Sequence, residues 1–434
     1  MNKPTPNAKT ISLPITHLGG LGDGIGQWNG KPVYVPLSCP GDVAYVQITA
    51  ENQQLARGEL AGLEIASPHR QTPPCEYFSR CGGCSLQHLN HPTYAAFKHS
   101  ILLDALETLG ASSAEIWPMV EAGPASRRRV ELKVKLEKGQ VSLGYFARNS
   151  HDLVAINHCP VSEPAISESI PTWQTTLQRL KKPGRIATLH LTALEGGLDA
   201  LLTVRSALHA ADIEQLTTFA HTAGLLRLSM AEDDTPQRIL YDSNNVTLTS
   251  DSATVAMPPG AFLQAATAGQ RALTDFVTHH LANCNHVADF YAGCGTYSFP
   301  LLKTSRHVSA YEGVEDMVLA MHNAARTHSL EERLTATTRD LFKQPITKNE
   351  LIRCDGAVIN PPRAGALPQV RELAHSNVEK LVMVSCNPAT FIRDARVLLK
   401  AGWQLTHAQA VDQFYWSGHL EIVATFLNLN KSVI

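Results

Sequence analysis

From about Ser250 to the C-terminus, short apolar runs alternate with helical segments. This alternation constrains the fold more than any other feature of the chain. The runs are His286 to Tyr291, Val308 to Tyr311, Ala357 to Asn360, Lys380 to Ser385 and Ile422 to Leu427. Segments of helical period lie between them, among them Gly269 to Leu281 and Val314 to Ala325. Alternation of this kind predicts a parallel α/β sheet, and such sheets bind ligands at the carboxyl ends of their strands. Chemistry in this half is therefore to be sought where strands end.

Several strand ends carry polar residues of interest. In DFYAGCGTYSFPL, Asp289 to Leu301, a strand runs into a turn where Gly293 and Gly295 admit close backbone approach of a ligand. The full G-x-G-x-x-G of dinucleotide folds is absent, as is the Lys of a phosphate-binding loop. Glu312, after the next strand, can accept hydrogen bonds from both hydroxyls of a ribose. A nucleoside cofactor without phosphates, such as S-adenosylmethionine, fits this pattern; a plain strand–helix turn is the alternative. In INPPRAG, the prolines fix the backbone, so that Asn360 is held toward whatever sits at the strand end. In VSCNPATF, Cys386 follows an apolar strand and Pro388 opens a helix, whose N-terminus favours a thiolate. A nucleophile and a buried structural cysteine both remain open. In HLEIV, Glu421 interrupts an apolar strand, where a charge is costly unless used or paired. A general base or a salt-bridged residue would each explain it.

Upstream the pattern differs. The first ~65 residues carry short β-prone runs (Ile11 to Ile15, Pro32 to Val35, Val43 to Ile48) between turn-rich stretches, with no long helical period. A small closed barrel is expected, because closure leaves no bare sheet edge. Next come Cys75, Cys81 and Cys84 in the form C-x5-C-x2-C, with Cys159 further on in HCPV. Four thiolates suit an iron–sulfur cluster or tetrahedral zinc, and unliganded buried cysteines are the third reading. A helix is expected over Tyr94 to Leu109, then a mixed region from about Arg128 to Leu248. Its basic stretch of Arg127, Arg128, Arg129, Lys133, Lys135, Lys138 and Arg148 could track a phosphate backbone or form a solvated strand face.

Composition bounds these readings. The chain has 434 residues, 44% hydrophobic and 18% charged, with 37 Lys plus Arg against 39 Asp plus Glu. That suits about three domains with packed cores and rules out a chain basic throughout, though not a local basic patch. No run of about 18 apolar residues offers a transmembrane helix, and the N-terminus has no apolar signal-type core. A cytoplasmic protein without membrane contact is expected, and its nine cysteines point away from a disulfide framework.

Taken in order, these features resemble the bacterial RNA 5-methyluridine methyltransferases, in particular the 23S ribosomal RNA enzymes with a TRAM domain and an iron–sulfur cluster. The resemblance spans nearly the whole chain. It rests on C-x5-C-x2-C with the distant HCPV cysteine, DFYAGCGT, SCNP, and the closing DQF…S-x-H-L-E. It implies a multidomain α/β protein: a TRAM-like, OB-like β-barrel over 1–67, a mixed α+β central domain holding the cluster and contacting RNA over 68–250, and a Rossmann-like methyltransferase domain over 251–434. It further implies Cys75, Cys81, Cys84 and Cys159 as ligands of a 4Fe–4S cluster. Gln264, Tyr291, Thr296, Glu312, Asp340 and Asn360 would lie about S-adenosylmethionine, with Cys386 as nucleophile and Glu421 as base. The reaction implied is methylation of uracil C5 in structured RNA, 23S ribosomal RNA first, by a monomer. A transfer-RNA uracil-5 enzyme, an exocyclic-amine methyltransferase and a non-catalytic RNA-binding protein are the alternatives. The chain departs from the family at Asn360, where Asp is usual, at Ala266 in place of a frequent Asn, and at Tyr415 in place of a common Pro.

Overall fold

A computed structural model describes residues 10–232, 237–250 and 252–430. Residues 1–9 of the expected barrel segment, and residues 251 and 431–434 of the expected methyltransferase segment, lie outside the described residues.

The N-terminal strands are β1 (Thr10–Pro14), β2 (His17–Leu18), β3 (Gly24–Trp28), β4 (Lys31–Val35), β5 (Val43–Glu51) and β6 (Ala56–Ile65). They hydrogen-bond in the order β1-β5-β6-β4-β3-β2. Only two residues separate β1 from β2, so one bent segment pairs with β5 through its first half and with β3 through its second. That closes the barrel. The bend needs glycine opposite it: a Cβ on Gly26 would sit 2.5 Å from the Pro14 carbonyl oxygen. Leu13, Ile15, Val33, Val35, Ala44 and Val46 fill the interior.

Helix α1 (His91–Thr108) follows the cysteine loop, and strand β7 (Glu115–Glu121) follows α1. The central sheet comprises β8 (Arg129–Glu137), β9 (Gln140–Phe146), β10 (Leu153–Ala155), β11 (Ile186–Leu194), β12 (Gly197–Val204), β13 (Arg227–Glu232) and β14 (Arg238–Asp242). Its order is β10-β9-β8-β11-β12-β13-β14. Helices α2 (Pro164–Gln178) and α3 (Ala210–Thr222) cover it, with Trp173 buried in its core. The hairpin β15 (Thr247–Thr249) and β16 (Thr254–Ala256) leads onward.

The C-terminal elements are α4 (Thr267–Leu281), β17 (His286–Phe290), α5 (Ser298–Leu301), β18 (His307–Glu312), α6 (Glu315–Thr327), β19 (Leu334–Thr338), β20 (Gly356–Ile359), α7 (Leu367–Ala374), β21 (Lys380–Ser385), α8 (Pro388–Lys400), β22 (Trp403–Asp412) and β23 (Glu421–Asn428). The expected strands are all present. The sheet, however, is mixed rather than parallel throughout: its order is β19-β18-β17-β20-β21-β23-β22-β7, with β23 antiparallel to both β21 and β22. Strand β7 joins it as the eighth member, parallel to β22, and α1 packs on β22 and α8. The segment from α1 to β7, which lies within the expected 68–250 region, thus contributes to the C-terminal sheet. Strand order reverses between β17 and β20, the point at which open α/β sheets bind ligands.

Candidate active site

The carboxyl ends of β17, β18, β20 and β21 open into a cleft of about 800 Å3 whose opposite wall is the central sheet. Gln264, Tyr291, Glu312, Asn360, Cys386 and Glu421 all line it. Of the residues implied by sequence, Thr296 and Asp340 do not. Asp340 is exposed and accepts from the Phe342 and Lys343 amides at 3.1 and 3.2 Å.

At one end of the cleft the Gly-rich turn is held by a carboxylate. Glu312 Oε2 accepts from the Gly293 amide at 2.9 Å, and Oε1 accepts from Gly313 and Val314 at 2.7 and 3.0 Å. Three of its roughly four acceptor positions are therefore filled by backbone, which leaves less for two ribose hydroxyls than the sequence suggests. Tyr291 adopts a φ of 61°, and its buried hydroxyl has no hydrogen-bond partner among the described residues. Asp289, which sequence reasoning passed over, is fully buried; burial raises it to about 7. Its Oδ2 accepts from the Ser298 hydroxyl at 2.6 Å.

At the other end, Cys386 follows β21 and stands just before Asn387, whose side chain caps α8 by accepting from the Ala389 amide. The expected position is reached, but the expected electrostatics are not. Burial, then the nearby Glu421 carboxyl, push the thiol above its ordinary value, while the exposed Arg363 guanidinium opposes them. Glu421 begins β23 and is 5% exposed, and burial raises it to about 8. Its Oε1 accepts from Gln413 Nε2 at 3.0 Å; Oε2 has no partner among the described residues.

Gln413 is the connector that the sequence did not single out. Its Nε2 also donates to Gln264 Oε1 at 2.7 Å, and its Oε1 accepts from the Ala265 amide at 2.9 Å. Gly269, in the first turn of α4, admits it: a Cβ there would lie 2.8 Å from the Gln413 Cβ. The only advance signal was its place in the DQF run.

The basic stretch is largely engaged internally. Arg128 is buried, donating to the Gln264 carbonyl at 2.9 Å and to Gln270, so it holds the Gln264 loop and does not face a polyanion. Arg129 donates to the Leu263 carbonyl at 2.6 Å and lies 4.8 Å from the ring of Phe262, which is 50% exposed at the cleft. Lys133 pairs with Glu131, Lys135 with Glu137, and Arg148 with Asp23. The buried Arg128 is therefore not part of a phosphate-tracking stripe, whereas Lys133 and Lys135 remain partly exposed on β8.

The four cysteines expected to hold a cluster lie within electrostatic reach of one another. Cys75, Cys81 and Cys84 each feel the charge of Cys159, and burial lifts all three, Cys84 to about 12. Among the described residues no three His, Cys, Asp or Glu side chains are gathered closely enough to hold a single metal ion.

A family model described as tRNA (uracil-5-)-methyltransferase matches residues 93–429, and one for the TRAM domain matches residues 7–61. The chain belongs to the tRNA (uracil-5-)-methyltransferase family. It is 37% identical over 422 residues to an uncharacterized RNA methyltransferase of Caulobacter vibrioides, covering 95% of this chain and 99% of that one. It is 32% identical to a 23S rRNA (uracil(1939)-C(5))-methyltransferase of Shewanella amazonensis, covering 98% and 97%. Its fold is similar to that of the Pyrococcus abyssi tRNA (uracil-54, C5)-methyltransferase solved with S-adenosyl-L-homocysteine. The TM-score is 0.72 at 20% identity, over 96% of this chain and all of that one. The chain is thus an RNA (uracil-5-)-methyltransferase with an N-terminal TRAM domain. No helix of the described residues is long and apolar enough to cross a membrane.

Proposed function

We propose that this protein methylates C5 of a uridine in 23S ribosomal RNA, with S-adenosylmethionine as donor and Cys386 as nucleophile. The observation that carries the reading is the meeting of Cys386 and Glu421 in one cleft with the Gly293–Glu312 turn. Uracil C5 is a poor nucleophile. Addition of the Cys386 thiolate to C6 turns C5 into an enolate-like carbon able to attack an electrophilic methyl group. Bound S-adenosylmethionine supplies that methyl on a positively charged sulfur. Glu421, which burial raises to about 8, first loses its own proton to solvent and as carboxylate takes the C5 proton; the C5–C6 double bond re-forms and the C6–S bond breaks to return the thiolate. Burial and Glu421 hold the thiol above its ordinary value, so the thiolate forms as its proton leaves to solvent, and Arg363 beside it opposes that push and stabilises the anion. The target base has to leave its stack to reach Cys386, and half-exposed Phe262 offers it a ring at the mouth.

Both Gly293–Glu312 and Tyr291, with its unpartnered hydroxyl, are the side of the cleft we assign to the methyl donor. Asn360 lines the same cleft, and no hydrogen bond engages its carboxamide among the described residues, so it is free to pair with base or donor. An exocyclic-amine reaction, which Asn360-Pro-Pro suggests, has no use for a thiol and a buried carboxyl together. Ribosomal RNA is preferred over transfer RNA because the Shewanella relative matches along both full lengths at 32%. The test is mass mapping of 5-methyluridine in ribosomal and transfer RNA from cells with and without this gene. Loss of one ribosomal site supports the reading; loss confined to transfer RNA reassigns the substrate.

Cys75, Cys81, Cys84 and Cys159 we assign as ligands of a 4Fe–4S cluster with a structural role. What supports the assignment is the C-x5-C-x2-C and HCPV pattern together with the electrostatic reach of these cysteines for one another. Anaerobically purified protein should be brown and carry about four irons per chain; one zinc and no colour would overturn the assignment.

A further inference from the structure

The loop after β22 carries Gln413 into the cleft, but its anchors lie behind it, on α1. Lys98 is fully buried there, 314 residues earlier in the chain than its partner Asp412, to whose Oδ1 it donates at 2.7 Å. The same ammonium donates to the carbonyls of Phe414, at 3.4 Å, and His419. One turn before it, the Tyr94 hydroxyl donates to Asp412 Oδ2 and accepts from the Trp416 amide at 2.9 Å. The Trp416 carbonyl in turn accepts from the Ser85 and Leu86 amides, at 2.8 and 3.0 Å. One loop is thus gripped at residues 412, 414, 416 and 419.

A buried ion pair is weak evidence for stability, since well-packed apolar side chains often do as well. What this pair supplies is geometry, in directions an apolar contact does not fix. Gln413 directly follows Asp412, and from there it reaches Glu421, Gln264 and the Ala265 amide at once. We propose that Lys98 and Tyr94 are positioning residues: through Asp412 and the loop carbonyls they hold Gln413, and through Gln413 the Glu421 carboxyl, in place for removal of the C5 proton. This rests on the reading of Cys386 and Glu421 given above. Among the described residues Glu312 itself shares no hydrogen bond with the network, and the link to the donor turn is the long one from Gln264 Nε2 to the Tyr297 hydroxyl, at 3.4 Å.

Slackening the loop should therefore slow proton removal and leave donor binding alone. The methylated Cys386–RNA adduct, whose decay needs that proton to go, should then accumulate on ordinary uridine RNA. The variant is Lys98→Met/Asp412→Asn, which removes both charges together and leaves no lone buried ion; Tyr94→Phe is the milder companion, removing one hydroxyl. Thermal melting establishes folding and calorimetry the S-adenosylmethionine affinity. The expected result is donor affinity within about twofold of the parent and turnover lower by about ten- to a hundredfold, the scale of a misplaced group. A denaturation-resistant protein–RNA band, absent from the parent at steady state, should accompany that loss. Gln413→Ala, with the pair intact, should give the same band. Full turnover by folded variants would overturn the proposal, and so would lowered turnover with no adduct, the mark of a merely structural role. If the parent forms no adduct even on 5-fluorouridine RNA, it is the Cys386 reading that has failed.

Discussion

The two ends of the cleft are built in opposite ways. At the donor end, Glu312 has both carboxylate oxygens occupied by amides drawn from residues 293 to 314, a short contiguous stretch running from the turn after β17 through α5 and β18. At the base end, Gln264, Cys386, Gln413 and Glu421 come from four separate stretches, and their two titratable groups are pushed upward by burial with one carboxyl oxygen left without a partner. At the first end the Glu312 carboxylate is locally satisfied, and the Tyr291 hydroxyl is the polar group left there without a partner among the described residues. The second holds its unmet demands until a substrate arrives. Binding should therefore depend on one end and turnover on the other, and variants can test that division.

The sharpest break is Cys386→Ala. Removing a nucleophile that acts as a unit with its neighbours typically costs several orders of magnitude, and here turnover should fall by at least about 10⁴-fold. Donor affinity, measured by calorimetry, should not move. A variant that still methylates uridine at the parental rate removes the covalent route altogether.

Next in size is Glu421→Gln. Loss of a positioned base costs about 10²- to 10⁴-fold, and the stalled adduct should be visible on ordinary RNA. The same variant has a stability signature. Glu421 ionises near 4.5 when unfolded and at about 8 in the fold, so the folded protein holds a proton that the unfolded chain releases between those values. Its contribution is full below pH 4.5 and is lost as pH rises toward 8, by at most about 1.4 kcal/mol per pH unit. Glu421→Gln should thus gain thermal stability relative to the parent as pH rises through that window. Parallel melting curves would show that the carboxyl is not buried as described.

At the donor end, Glu312→Ala leaves three amides without their acceptor and loosens the Gly293 turn. S-adenosylmethionine should bind about ten- to a hundredfold more weakly, given the worth of hydrogen bonds to a charged group. With saturating donor, most of the turnover should return. If kcat falls and affinity does not, the division between the two ends is wrong.

Asn360→Asp should have the smallest effect. Placing at position 360 the Asp that the family resemblance leads one to expect should preserve turnover on uridine or raise it by up to about tenfold. Abolished turnover would make Asn360 an adaptation of this chain, and would mean that its site treats the base differently from its relatives.

The same contrast governs what was legible in the sequence. The donor end could be read because a strand, a glycine turn and an acid about twenty residues on lie close along the chain, and Cys386 because a strand, a thiol and Pro388 are adjacent. Gln413 could not, because its meaning comes from Gln264, 149 residues away. Arg128 was misread for a related reason: charge in a strand suggests solvent or phosphate, whereas its guanidinium is buried against the Gln264 loop. Alternation of strands and helices also says nothing about direction at the sheet's end, so the antiparallel β23 and the recruitment of β7 were not visible. Closure of the barrel was foreseen as a need, but the bent β1–β2 segment that achieves it depends on Gly26 facing Pro14.

The most direct test of the account is the covalent step itself. Protein, S-adenosylmethionine and a 23S ribosomal RNA fragment carrying 5-fluorouridine are incubated, denatured and digested, and the cross-linked peptide is sequenced by mass spectrometry. Fluorine at C5 cannot leave as a proton, so the adduct should persist. The account predicts one modified peptide, containing Cys386, joined to a nucleotide that has gained a methyl group. A methylated RNA with no adduct, or an adduct on any other cysteine, would contradict it.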